Sequence, residues 1–261
     1  MAFGSMTPDW YVIALLCLVA AAAGWVDAVS GGGGLLQLPA LLIVTPADQP
    51  AAALGTNKLS SIFGTSAAAI TYGRIEMPRL RTALPMAAAA FVGAAFGSLT
   101  AIHLPPTIFR PIILVALIVV WLFIAFRRSF GLEAREVSRG RHLLTAIVGG
   151  LAIGFYDGAI GPGTGSFLII LLVAAVGYTF LQASATAKIV NVGTNAASLI
   201  VFGISGSVLW FVGLLMAACN VAGAIVGART AIARGSEFVR TVLLVVTAVL
   251  IAVLAVQIIR G

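Results

Sequence analysis

From Trp10 to Val26 the chain carries no charged residue, and comparable stretches recur along almost its whole length. A run of about 20 apolar residues is most cheaply placed in the hydrocarbon of a bilayer. There each backbone amide must be satisfied within the segment, so such runs become membrane-spanning helices. Runs of that length fall at Trp10 to Val29, Ala51 to Tyr72, Leu80 to Ile102, Ile108 to Phe126, Leu143 to Ile160, Leu181 to Phe202, Val208 to Ala228 and Phe238 to Ile259. Two shorter apolar pieces, Leu35 to Val44 and Gly165 to Val176, lie among them. Composition agrees: 61% of the residues are hydrophobic and 9% charged, where a soluble domain carries charge on about a quarter. The expected fold is an all-α integral membrane protein with no room for a soluble domain.

A net charge of +7 would suit a nucleic-acid binder. Here, however, the basic residues sit in short links between apolar segments, where lysine and arginine mark cytoplasmic loops. No nucleic-acid partner is expected. Cys17 and Cys219 both fall inside apolar segments, which argues against a disulfide framework. The opening "MAFGSMTPDW" has no lysine or arginine ahead of the first apolar run, which argues against a cleaved signal peptide. His103 and His142 lie at segment ends without metal-ligand spacing to any cysteine, aspartate or glutamate, so neither a metal nor another cofactor is expected. No nucleophile–base pattern is visible, which points away from an enzyme.

The chain is duplicated. A single offset of 130 pairs Gly24 with Gly154, Asp27 with Asp157, Gly31 with Gly161 and Gly33 with Gly163. The same offset pairs Thr56 with Thr186, Lys58 with Lys188, Gly93 with Gly223 and Gly97 with Gly227. Matches of alanine or leucine would arise by chance in so apolar a chain, but matched aspartates, lysines and glycines would not. The expected organisation is a first membrane repeat over 1–126, a charged cytoplasmic linker over 127–141 and a second repeat over 142–261. Each repeat has three full transmembrane helices plus a glycine-broken helix and a re-entrant half-helix hairpin. Three crossings per repeat, an odd number, would give the two repeats inverted topology. The charges agree: Arg74, Arg79 and Arg81 occupy a link whose counterpart in the second repeat has none, while Arg229, Arg234 and Arg240 mark the opposite case. Inversion puts all of these links on the cytoplasmic side.

The breaks themselves, "GWVDAVSGGGGLL" and "GFYDGAIGPGTGS", are where function is expected. Unwound backbone at membrane depth is tolerated only where it lines a cavity or is buried in protein. Paired glycine-broken half-helices in two repeats are the sequence pointer to a transporter's binding site. Gly31, Gly32, Gly33 and Gly34, and Gly161, Gly163 and Gly165, would aim free amides and the positive ends of two half-helices at an anion. Thr164 and Ser166 could cap the second half-helix or donate to a ligand. "GPGTGS" lacks the Gly-Lys-Ser/Thr ending of a phosphate loop, which disfavours a nucleotide. Lys58 and Lys188, each preceded by threonine two residues earlier (Thr56, Thr186), are candidates to hold the anion, the alternative being snorkelling to the nearer interface. Asn57 and Asn191 share the lysine-bearing segments, and Lys188, Asn191 and Asn195 fall at i, i+3 and i+7 on one face. Asp27 and Asp157, one turn before the glycines, would balance the lysine charge, carry a coupled proton or cap the broken helices. Glycine pairs such as Gly93 and Gly97 read as helix packing.

These stretches, together with "ALGTNKLSS" and "ATAKIVN", resemble the sulfite exporter TauE/SafE family, also called the toluene sulfonate uptake permease family. The resemblance runs over essentially the whole chain and is most specific at "GFYDGAIGPGTGSFL". It implies a bacterial plasma-membrane permease for small sulfur-containing anions such as sulfite or organosulfonates, driven by an ion gradient. The partners to consider are that small anion, the lipid bilayer, a proton or sodium ion for coupling and, with no sequence signal for or against it, further copies of the chain in a homo-oligomer. Two other readings stay open at this point. One is a cation permease built on Asp27 and Asp157, which two intramembrane lysines oppose. The other is a membrane-embedded lipid-phosphate hydrolase, which would need a nucleophile and base near the loops.

Overall fold

The computed structural model describes residues 9–46, 49–75, 78–102 and 139–260, together with Ile118, Trp121, Leu122 and Ala125. All regular elements among them are helices. The first repeat supplies α1 (Trp10–Ser30), α2 (Gly34–Val44), α3 (Pro50–Gly73) and α4 (Leu80–Ala101). The second supplies α5 (His142–Ala159), α6 (Thr164–Val176) and α7 (Phe180–Ile204). The helical run Trp210–Arg260 follows, interrupted at Gly235, whose φ of 73° no regular helix contains. We number its parts α8 (residues 210–234) and α9 (residues 236–260). Most of the expected span Ile108 to Phe126, and the link over 127–138, lie outside the described residues.

Helices α1, α4, α5 and α7 and the run Trp210–Val249 are long and apolar enough to cross a bilayer. With 24 residues α3 has the length but not the same apolarity. It carries Thr56, Asn57, Lys58, Ser60 and Thr65, all buried, so its polar face is turned into the protein rather than toward lipid. The 11 residues of α2 rise only about 16 Å, half of a ~30 Å hydrocarbon core. Helix α6 is nearly as short. Both are half-spans.

The duplication sets the element boundaries. Helices α2 and α6 begin at 34 and 164, α3 and α7 at 50 and 180, and α4 and α8 at 80 and 210, a shift of 130 each time. Packing follows the same exchange. Helix α1 lies along α8 as α5 lies along α4, α3 lies along α8 as α7 lies along α4, and α3 meets α7 at the centre. The two long contacts are closed by equivalent glycines. A side chain at Gly93 or Gly97 would strike the backbone of α5, and one at Gly223 or Gly227 would strike that of α1. Small residues let backbones approach in lipid, where no hydrophobic force presses helices together. The repeats are therefore interleaved, and their centre lies where both broken helices end.

Candidate functional site

The first helix of each repeat breaks for a local reason. Helix α1 stops because Gly31 turns left-handed (φ 78°) and its amide closes the last turn onto the Asp27 carbonyl at 2.8 Å. In the second repeat Gly161 (φ 89°) and Gly163 (φ 81°) flank Pro162, which has no amide to donate. The chain then restarts as a half-helix, with Gly33 ahead of α2 and Gly163 ahead of α6. Neither start has a capping side chain or an acidic residue in its first turn. The leading amides thus have no side-chain partner, and the positive dipole ends are not neutralised by an acid in the first turn.

The two loops touch. A side-chain carbon on Gly31 would overlap the backbone of Gly165, and one on Gly165 would overlap Gly31. Beside this crossing is a polar cavity of about 30 Å³, room for little more than water-sized guests as it stands. Its loop walls are Gly31 and Gly34 on one side and Gly161, Gly163, Thr164 and Gly165 on the other. Asp27 and Asp157 reach it from the ends of α1 and α5. Helix α3 contributes Asn57, Lys58, Ser61 and Thr65, and α7 contributes Asn191 and Asn195.

The charges pair across the repeats. Lys58 lies 2.8 Å from Asp157, and Lys188 lies 2.9 Å from Asp27. Each lysine therefore sits at the C-terminal, negative end of the other repeat's broken helix, where a cation is favoured. Neither snorkels: Lys58 is 1% exposed and Lys188 fully buried. The two pairs differ in what surrounds them. Lys58 lines the cavity, with its ammonium close to Gly161, and Asp157 also accepts from the Thr164 hydroxyl at 2.7 Å. Lys188 is not a wall of the cavity. It donates to the carboxylate and to the backbone carbonyl of Asp27.

The remaining expected residues are distributed as follows. Gly33 packs back against Ala23 and Asp27, and the Gly32 carbonyl accepts from the Leu35 amide. Thr56 donates to the Ala52 carbonyl and accepts from the Leu209 amide, tying α3 to the start of α8. Ser166 donates to the Ser30 carbonyl. None of these four lines the cavity. Asn57 and Asn191 do, and the Oδ1 of each is buried without a hydrogen-bond partner in the protein. The site also holds Thr65, which reading the sequence passed over. The 130 offset could have found it, because Lys58, Ser61 and Thr65 repeat the spacing of Lys188, Asn191 and Asn195. Asn195 donates to Thr65 at 3.4 Å, joining the two equivalent faces.

Two peripheral features are packing rather than site. Asn220 donates to Gln37 at 2.9 Å between α8 and α2. His142 meets Thr82 at 3.4 Å and the edge of Tyr178, which the Arg79 guanidinium faces 5.5 Å from the ring centre. Burial pushes the Tyr178 phenol above its ordinary pKa, against the opposing pull of its hydrogen bond to Thr82 and of Arg79.

The chain as a whole is similar to known proteins. A "probable membrane transporter protein ORF9" of Sinorhizobium sp is 37% identical, over 91% of this chain and 90% of its own. A "probable membrane transporter protein" of Haemophilus influenzae is 34% identical, over 90% and 91%. The "probable membrane transporter protein YfcA" of Escherichia coli K12 is 33% identical, over 92% and 88%. No solved structure gives a significant match. The model of the sulfite exporter TauE/SafE family matches residues 16–254, and the chain belongs to that family.

Proposed function

We propose that the chain is a secondary transporter that carries small sulfur-containing anions, sulfite or organosulfonates among them, across a bacterial inner membrane. Membership of the family and the names of its relatives support a multi-pass membrane transporter rather than an enzyme. The observation that carries the anion reading is the cavity. Two uncapped half-helix starts, the glycine amides around them and the Lys58 ammonium converge on a space lined by polar groups. An anion there meets positive dipole ends already in place and takes the Lys58 ammonium over from Asp157. A cation would have to displace a lysine from each aspartate first. At about 30 Å³ the cavity must widen to admit an oxyanion group, and further still for a longer organosulfonate. In this reading the repeats are inverted and the site lies near the midplane, which agrees with the exchange of contacts between them and with the basic links.

Purified protein in liposomes, supplied with sulfite, thiosulfate, isethionate, sulfate and sodium chloride under an imposed pH gradient, tests this. Uptake or release of at least one sulfur oxyanion is expected, and Lys58→Ala with Lys188→Ala should weaken it by an order of magnitude or more, equivalent to about 1.4 kcal/mol. Unchanged affinity in a folded double variant would remove the lysines from the site.

A further inference from the structure

The two ion pairs are equivalent in the sequence but not in their surroundings. The C-terminal end of α1 is fastened completely. Its last carbonyls, from Asp27, Ala28, Val29 and Ser30, accept from Lys188, the Tyr72 hydroxyl, the Ser184 hydroxyl and the Ser166 hydroxyl respectively. These donors come from α3, α6 and α7. The 130 offset maps Tyr72 to Phe202, Ser184 to Leu54 and Ser166 to Leu36, none of which can donate a side-chain hydrogen bond. The last backbone carbonyls of α5 therefore have no matching set: among the described residues the side chain that donates to them is Ser98, to the Gly158 carbonyl at 3.3 Å, while Thr164 and Lys58 bind the Asp157 carboxylate instead. Both members of the Lys58–Asp157 pair line the cavity, whereas in the other pair only Asp27 does, and Lys188 lies off the cavity in the fastening.

We infer that the Lys188–Asp27 pair is a fixed anchor, and that the Lys58–Asp157 pair is the working pair, which takes up one proton with each monovalent anion. This rests on the anion reading above. In the empty site the two lysines and two aspartates cancel. An anion arriving at Lys58 takes over the ammonium that Asp157 held and leaves that carboxylate buried without its cation, which is costly at this depth. A proton from the water on the open side binds a carboxylate oxygen of Asp157. No covalent bond in the anion changes, and the loaded site is neutral again. The other charged groups nearby are Asp27 on α1, which Lys188 of α7 holds, and Lys58 itself on α3. Tyr156, next to Asp157 on α5, is occupied by donation to the Pro162 carbonyl. Asp27 keeps its partner throughout, so Asp157 is the carboxylate left to receive the proton.

The test uses wild-type proteoliposomes and isethionate, a permanently monovalent sulfonate, with sulfite and thiosulfate alongside. The pH gradient is varied at zero potential, and the potential is varied with potassium and valinomycin at equal pH. Flux should follow the pH gradient and ignore the potential. Asp157→Asn should reverse this: flux independent of the pH gradient and several-fold responsive to the potential, because each cycle then moves one uncompensated charge. Asp27→Asn should lower the flux yet keep its dependence on the pH gradient. Wild-type flux of isethionate that follows the potential and not the pH gradient overturns the inference while leaving the anion reading intact. So does pH coupling lost equally in both variants. Failure of every anion to move in wild type overturns the anion reading and the inference with it.

Discussion

At the scale of residues, the site is an arrangement of compensated charges. A lysine at full burial is tolerable only because a carboxylate lies within 3 Å, and each carboxylate is tolerable for the same reason. Removing one partner should therefore cost more than removing both. Lys58→Met is expected to lose about 3–5 kcal/mol of stability by stranding Asp157. Lys58→Met with Asp157→Asn should recover most of that loss without recovering anion binding. Equilibrium unfolding in mild detergent, read beside anion affinity, separates the two effects. Equal instability of the single and double variants would show that Lys58 matters through its packing instead.

At the scale of elements, the same kind of helix break serves two different ends. Both helices end beside the cavity, but α1 terminates in a set of side-chain donors that leaves its last turn little freedom, whereas the last carbonyls of α5 have far fewer. Local opening follows the loss of such bonds. Amide hydrogen exchange should therefore be slower over residues 24–30 than over the equivalent residues 154–160, and Tyr72→Phe should narrow the difference. Faster exchange in the first repeat would contradict this. Much of the framework was legible in the sequence, because it depends on local rules. Gly31 and Gly161 mark the breaks, the short apolar pieces give the half-spans, and one offset locates the starts of α6, α7 and α8. What the sequence could not supply was partnership across the fold. The offset matched Lys58 with Lys188, but it could not say that Lys58 would meet Asp157 or that Lys188 would turn from the cavity, since such contacts are set by how the repeats interleave. Ser166 and Thr56 looked like site residues for the same reason: a hydroxyl near a loop reads alike whether it faces a guest or a neighbour's carbonyl.

At the scale of the whole molecule, topology decides which side each loop serves. The inverted arrangement proposed above would place the links after α3 and after α7 on opposite faces of the membrane, although they are equivalent in sequence. Single cysteines at Arg79 and Gly206, introduced with Cys17→Ala and Cys219→Ala, provide the check. In intact cells an impermeant maleimide should label the Gly206→Cys variant and spare the Arg79→Cys variant until the membrane is opened. Identical labelling of both would require a parallel arrangement of the repeats. The contact between Gly31 and Gly165 has one more consequence at this scale. Backbone resting on backbone closes that crossing to a file of water, so the protein should insulate as well as carry. Vesicles holding it without cargo should hold their acidity as long as bare lipid does, and prying the two glycines apart with Gly165→Val should make them drain.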